Sequence, residues 1–145
     1  MTLAERLIRL HEGLRLKPYL DTATPPRWSI GYGRNLTDCG ISRGEAEELL
    51  QHDLTRVERE LLIALPWVTR LDPVRYAVLV DMSYNLGLRG LLQFRSTLAH
   101  IEAGDYPRAA GQMLESRWAA QVGTRARRLA GMMATGTVPP EVAAP

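Results

Sequence analysis

Leu3, Leu7, Leu10 and Leu14 recur at helical spacing, with Glu5, Arg6 and Arg9 between them. Thr2 and Glu5 have the spacing of a capping box, in which each side chain accepts from the other residue's backbone N–H. With a stop at Gly13, this predicts a helix from Leu3 to His11 and puts Glu12 at its C-terminal end. The pattern then changes. Pro18, Asp21, Thr22, Pro25, Pro26, Gly31 and Gly33 rule out a long helix before Arg34. The short runs Leu16–Leu20 and Trp28–Tyr32 predict an antiparallel hairpin or ribbon. Ser42 with Glu45 repeats the capping box. The helix it opens carries Ala46, Leu49, Leu50, Leu54, Val57, Leu61 and Leu62 on one face, and it runs to Pro66. Glu47, Glu48, Arg56 and Glu60 form its solvated face.

Asp72 before Pro73 reads as an N-cap followed by proline at the first helical position. From Val74 to Leu86 the chain is apolar nearly all round, interrupted by Arg75, Asp81, Ser83 and Asn85. Such a helix belongs at the centre of a bundle, and Gly87 is expected to end it. Shorter helices are predicted at Leu88–Gln93, Ser96–Ala103, Pro107–Glu115 and Thr124–Ala134, and the tail over 138–145 is expected to fray. The fold class is therefore α+β. A small β-ribbon lobe over residues 13–41 joins a mainly helical lobe through a long helix, within one domain spanning 1–145. A cleft between two such lobes is the expected ligand site.

Composition narrows the possibilities. The 145 residues are 46% hydrophobic and 23% charged, enough for a folded domain with a core. A net charge of +2 is too small to point to nucleic acid, although it suits a polyanionic partner. The single cysteine, Cys39, allows no intrachain disulfide. Charges among the first eleven residues break any signal-peptide core, and no run of about 18 apolar residues predicts a membrane span. His11, His52 and His100 lack metal-ligand spacing, so neither a metal nor another cofactor is expected.

Glu12 closes a helix, Asp21 lies nine residues on, and Ser29 sits on the next extended segment. Cleavage of a glycosidic bond commonly uses two carboxyl groups, one protonated and one ionised. A helix C-terminus disfavours negative charge, which suits Glu12 as a general acid, and Asp21 can stay solvated and ionised. From spacing alone, two such acids also fit an ordinary solvated surface.

The stretch HEGLRLKPYLDT, followed by WSIGYGRNLT, resembles the N-terminal active-site segment of the T-even-type phage lysozymes, glycoside hydrolase family 24. The resemblance continues through GISRGEAEELL, SYNLG, QFRSTL, SRW, RARR and TGT, from Leu3 to Thr137. It implies a lysozyme-like fold. It also implies a muramidase that hydrolyses the β-1,4 bonds between N-acetylmuramic acid and N-acetylglucosamine in peptidoglycan, with inversion, and so lyses bacterial walls.

Position by position, the resemblance puts the catalytic acid on Glu12 and the catalytic aspartate on Asp21. Ser29 occupies a position that is usually threonine and keeps its hydroxyl. The implied carboxyl separation is about 6.5–9.5 Å, enough to admit a water. Arg125 matches an arginine that orients the catalytic glutamate while favouring its ionised form. Tyr84 and Asn85 match an aromatic–amide pair that binds sugar, and Thr97 is a weaker candidate beside them. Tyr84 could equally pack the central helix. Trp118 and Phe94 read as core, and Arg127 and Arg128 as solvated charge. Arg34 stands where the family has a histidine paired to an aspartate, so an Arg34–Asp53 ion pair, silent near neutral pH, is implied. Only NLTDCG separates Arg34 from Ile41, which should reduce the small lobe. The implied partner is bacterial peptidoglycan, met by a monomer without nucleic acid or stable membrane insertion and held in the host cytoplasm until release to the wall. The alternative is a catalytically inactive muramidase-like domain that binds peptidoglycan or a protein partner.

Overall fold

A computed structural model describes residues 1–143; Ala144 and Pro145, the end of the tail expected to fray, lie outside the described residues. The first helix, α1 (Leu3–Glu12), starts at the predicted capping box. The Glu5 N–H donates to Thr2 Oγ1 at 3.1 Å, and the Thr2 N–H donates to Glu5 Oε2 at 3.2 Å. Strands β1 (Arg15–Leu20), β2 (Trp28–Gly31) and β3 (Arg34–Asn35) form an antiparallel sheet in that order. A single turn, α2 (Leu36–Cys39), is capped by Asn35 and precedes the long α3 (Arg43–Ala64). The Ser42–Glu45 box forms as expected, with bonds of 3.2 and 2.7 Å.

A 3-10 turn at Pro66–Arg70 leads to α4 (Pro73–Leu91), α5 (Arg95–Glu102), α6 (Tyr106–Glu115), α7 (Arg117–Val122), α8 (Thr124–Thr135) and α9 (Pro140–Ala143). The fold is α+β, mostly helical with one small sheet. In the described part of the tail, Pro140–Ala143 form a helical turn, and Arg128 Nε donates to Glu141 Oε1 at 3.2 Å.

The chain divides into two compact units, Met1–Leu49 and Leu50–Pro145, with the boundary inside α3. The first unit holds α1 and the sheet. Leu3, Leu7, Leu10 and Leu14 all stay exposed, from 45% at Leu7 to 76% at Leu10, so the face read from their periodicity is not a core of that unit. Ser29, on the central strand, is its one buried residue among those described.

The second unit is built around α4. Val78, Leu79 and Met82 are buried with Leu61, Val68, Leu91, Ile101, Met113 and Met133, which bears out the central helix expected from an all-round apolar segment. At Gly87 the backbone leaves the helical region (φ 73, ψ 158), a conformation only glycine adopts cheaply, and the helix then resumes to Leu91.

Arg75 ties α4 to the end of α8. Its Nε donates to Met133 O at 2.7 Å and its Nη2 to Ala134 O at 3.1 Å, satisfying carbonyls that a helix end leaves free. Its Nη1 reaches Asp72 Oδ2 at 2.9 Å, and the guanidinium lies 3.7 Å from the Tyr106 ring centroid. Partial burial acts to raise the Asp72 pKa, but the Arg75 N–H and guanidinium outweigh it and hold that carboxyl below its ordinary value.

Replacing Arg75 with methionine keeps the stem but removes every donor. The expected loss is about 3 kcal/mol in chemical denaturation, since buried acceptors lose charged partners. A loss below about 1 kcal/mol would mean that the carbonyls find other donors. Ser83 presents the opposite case, because its buried Oγ has no hydrogen-bond partner among the described residues. Ser83→Ala should leave stability unchanged or raise it by about 1 kcal/mol; a clear loss would reveal a hidden partner.

Candidate active site

Strands β2 and β3 are joined by Gly31-Tyr32-Gly33 and closed by the Ile30–Arg34 pair. Gly33 has φ 72, where a side chain is disfavoured. It also abuts the carboxyl of Glu12, the last residue of α1. A Cβ at position 33 would lie 2.5 Å from Glu12 Oε2 and 2.8 Å from Glu12 Cδ. The backbone favours glycine there, and any side chain would displace the Glu12 carboxyl from its present place. Arg9, on the same helix, donates from Nη1 to the Tyr32 hydroxyl at 2.7 Å, and its guanidinium sits 4.6 Å from the Tyr32 ring centroid.

Asp21 follows β1 and extends the ladder, its N–H donating to Arg27 O at 2.9 Å. Its Oδ1 accepts from the Ala23 N–H at 3.0 Å and the Arg27 N–H at 2.9 Å, which fixes the carboxylate plane. Tyr19 pairs with Ser29, and Ser29 pairs with Asn35. Asp21 lies two positions past Tyr19, the partner of Ser29, which makes it a diagonal neighbour of Ser29 in the register. Such neighbours lie roughly 7 Å apart. Glu12, Asp21 and Ser29 thus belong to one compact unit.

Arg34 takes Glu45 as its partner, not the expected Asp53. Its Nη2 donates to Glu45 Oε1 at 2.6 Å, its Nη1 to Glu45 Oε2 at 3.3 Å and to Gly40 O at 3.2 Å. The Ser42 box already fixes Glu45 at the start of α3, just past the short α2 connection. Asp53 belongs to the second unit, where it pairs with Arg56 at 3.4 Å. The Ser42 N–H and hydroxyl, with Arg34 beside them, hold the Glu45 carboxyl below its ordinary range.

In the second unit Tyr84 is 44% exposed, so it does not simply pack the central helix. It lines a cavity of about 400 Å³ with Leu54, Tyr76, Asp81 and Arg125. Arg125, for which the resemblance implied Glu12 as partner, is engaged by Asp81 of its own unit: its Nε donates to Asp81 Oδ1 at 2.8 Å. In the sequence Asp81 was visible only as a polar break in an apolar helix. Asn85 Oδ1 accepts from Trp118 Nε1 at 2.8 Å, which fixes the amide and leaves its NH₂ as the remaining donor. Trp118 is buried and packs edge-on to Phe94 at 6.1 Å, as expected of core residues.

Thr97 does not fit the role of a sugar contact. It is only 5% exposed, and its hydroxyl meets Gln112 Oε1 at 3.3 Å. Arg127 is exposed and donates to the Thr124 hydroxyl. Among the described residues no three His, Cys, Asp or Glu side chains gather to hold a metal ion, and no helix is long and apolar enough to cross a membrane.

The family model described as phage lysozyme matches residues 9–134. An endolysin of Bacillus phage B103 is 32% identical over 115 residues, covering 75% of this chain and 42% of that protein. An endolysin of Acyrthosiphon pisum secondary endosymbiont phage 1 is 30% identical over 115 residues, covering 75% of this chain and 73% of that protein. The pre-baseplate central spike protein of Enterobacteria phage T4 is 29% identical over 168 residues, covering 95% of this chain and 28% of that protein. The chain thus spans less than half the length of the Bacillus phage and T4 relatives.

The Arg34–Glu45 geometry makes a pH prediction. A carboxyl with a depressed pKa stabilises the fold fully above its unfolded value, here the ordinary 4.5, and loses that contribution as pH falls through the lower folded value. Glu45→Gln should therefore be less stable than the parent at neutral pH and converge with it in acid. If Glu45→Gln matches the parent at neutral pH, the partner assignment is wrong.

Proposed function

The chain belongs to the phage lysozyme family, and on that premise we propose that it hydrolyses the β-1,4 bonds between N-acetylmuramic acid and N-acetylglucosamine in peptidoglycan, with inversion, and so lyses bacterial walls. The observation that carries this reading is the seating of Glu12 against Gly33, in the same unit that holds Asp21 and Ser29 as diagonal neighbours in the register.

Glu12 gives its proton to the glycosidic oxygen as the bond from that oxygen to the anomeric carbon breaks. Asp21 and Ser29 hold a water on the opposite face of the sugar. Because two backbone N–H groups tie Asp21 Oδ1, Oδ2 is the atom left to accept the water's proton as the water attacks. The scheme needs the carboxyls about 6.5–9.5 Å apart so that the water fits between acid and base. Serine in place of threonine lacks the methyl that stiffens χ1, so the hydroxyl is less constrained. That affects rate more than pathway.

In the second unit, Asn85 and Tyr84 are the candidate glycan contacts. The Asn85 NH₂ suits the carbonyl of an N-acetyl group, and the exposed Tyr84 ring suits a sugar face.

Glu12→Gln should lower turnover of purified peptidoglycan on the order of a thousandfold, the scale of a lost general acid, with the fold retained by circular dichroism. Gly33→Ala should cost on the order of tenfold, because the new Cβ meets the carboxyl it displaces. Mass spectrometry of the products should find reducing N-acetylmuramic acid ends. A 1,6-anhydro end would mean a transglycosylase, and wall binding without released ends would mean an inactive binding domain.

A further inference from the structure

We propose that Arg9 and Tyr32 form a clamp that positions the general acid, acting on Glu12 through the Gly31–Gly33 turn. This rests on the assignment of Glu12 as the proton donor. The two contacts that join α1 to the turn are adjacent at both ends. Arg9 and Glu12 are three residues apart on α1 and so share a helix face. Tyr32 and Gly33 are consecutive. Arg9 holds Tyr32 by a 2.7 Å hydrogen bond and by a guanidinium 4.6 Å from its ring centroid, and Glu12 leans on Gly33.

The turn needs such a hold. Gly31 and Gly33 both have positive φ, and the glycines that permit this shape resist its distortion weakly. Its closure comes from the Ile30–Arg34 pair at its base, on the side away from the tip. The tip carries Tyr32, and the tip is what Arg9 grips. Arg9 is itself steadied by Glu5 one turn earlier, whose Oε1 lies 3.5 Å from Arg9 Nη2. Glu5 belongs to the capping box that starts the helix. A line of contacts therefore runs from Thr2 through Glu5, Arg9 and Tyr32 to the glycine that seats the acid.

Arg9 is a positioning residue here: its guanidinium is directed at Tyr32 and Glu5, and its effect on the reaction passes through where Gly33 sits. When the clamp is released the turn tip drifts, and the Glu12 carboxyl loses the wall that aims its proton. Misplacement on the scale of 1 Å can cost up to about a hundredfold in rate. For a surface contact with the strand ladder intact, the expected loss is on the order of tenfold.

The test uses Arg9→Met, Tyr32→Leu, the double variant and Tyr32→Phe in the full chain, with hydrolysis of soluble uncross-linked glycan strands as readout. Folded fraction at the assay temperature is followed by circular dichroism. The expected result is a kcat about tenfold lower in each single variant, an unchanged KM, and a double variant no worse than either single one. Tyr32→Phe, which keeps the ring but loses the hydroxyl, should fall between. A merely structural role would lower the melting temperature without lowering kcat of the folded protein. The proposal is overturned if both single variants keep parental kcat while Glu12→Gln loses it, or if the losses multiply in the double variant. If Glu12→Gln itself keeps its rate, the assignment of the acid fails first, and the clamp has nothing to position.

Discussion

The close approach between the Glu12 carboxyl and the Cα of Gly33 is the contact on which the site depends. A glutamate at a helix end is mobile unless something limits it. Here the carboxyl rests against the bare backbone of residue 33. The same glycine lets the chain turn from β2 into β3, so the turn and the Glu12 contact meet at one residue. The sheet then sets the rest of the arrangement. Its register puts Ser29 on the central strand and Asp21 one diagonal away, and the tie of Asp21 Oδ1 to two N–H groups leaves one oxygen free.

The second unit follows a different physical logic. Its stability comes from a dry core around α4 and from Arg75, which supplies donors to the end of α8. Polar groups near that core are held in fixed orientations: Asn85 by the Trp118 indole, Arg125 by Asp81. Fixed polar groups of this kind present a defined pattern of donors to a ligand, in contrast to the adaptable surface of long, solvated side chains.

The helices were the most legible part of the sequence. Thr2 with Glu5, Ser42 with Glu45, and Asp72 before Pro73 each mark a start that the structure keeps. Such signals are local, and local hydrogen bonds decide them. The two-residue β3 and the four-residue α2 left no trace, because neither is long enough to show a period. Glu12, Asp21 and Ser29 were proposed through resemblance, and the first unit holds all three. Contacts between distant positions were not legible. Arg34 found Glu45 instead of Asp53 because the connection before α3 is short and the capping box had already fixed an acceptor there. Thr97 was a weaker candidate sugar contact, but the packing of α5 against α6 buries it. The Arg9–Tyr32 contact joins residues far apart in sequence, and neither helical nor strand periodicity reports such a pair.

The central claim is that one carboxyl gives a proton while the other directs a water at the opposite face of the sugar. The anomeric configuration of the first product tests it directly. Proton NMR during the opening moments of hydrolysis, before mutarotation, should show the new reducing end as the α anomer. A β anomer appearing first would mean retention through a covalent intermediate on a carboxyl, and would contradict the roles assigned to Asp21 and Ser29.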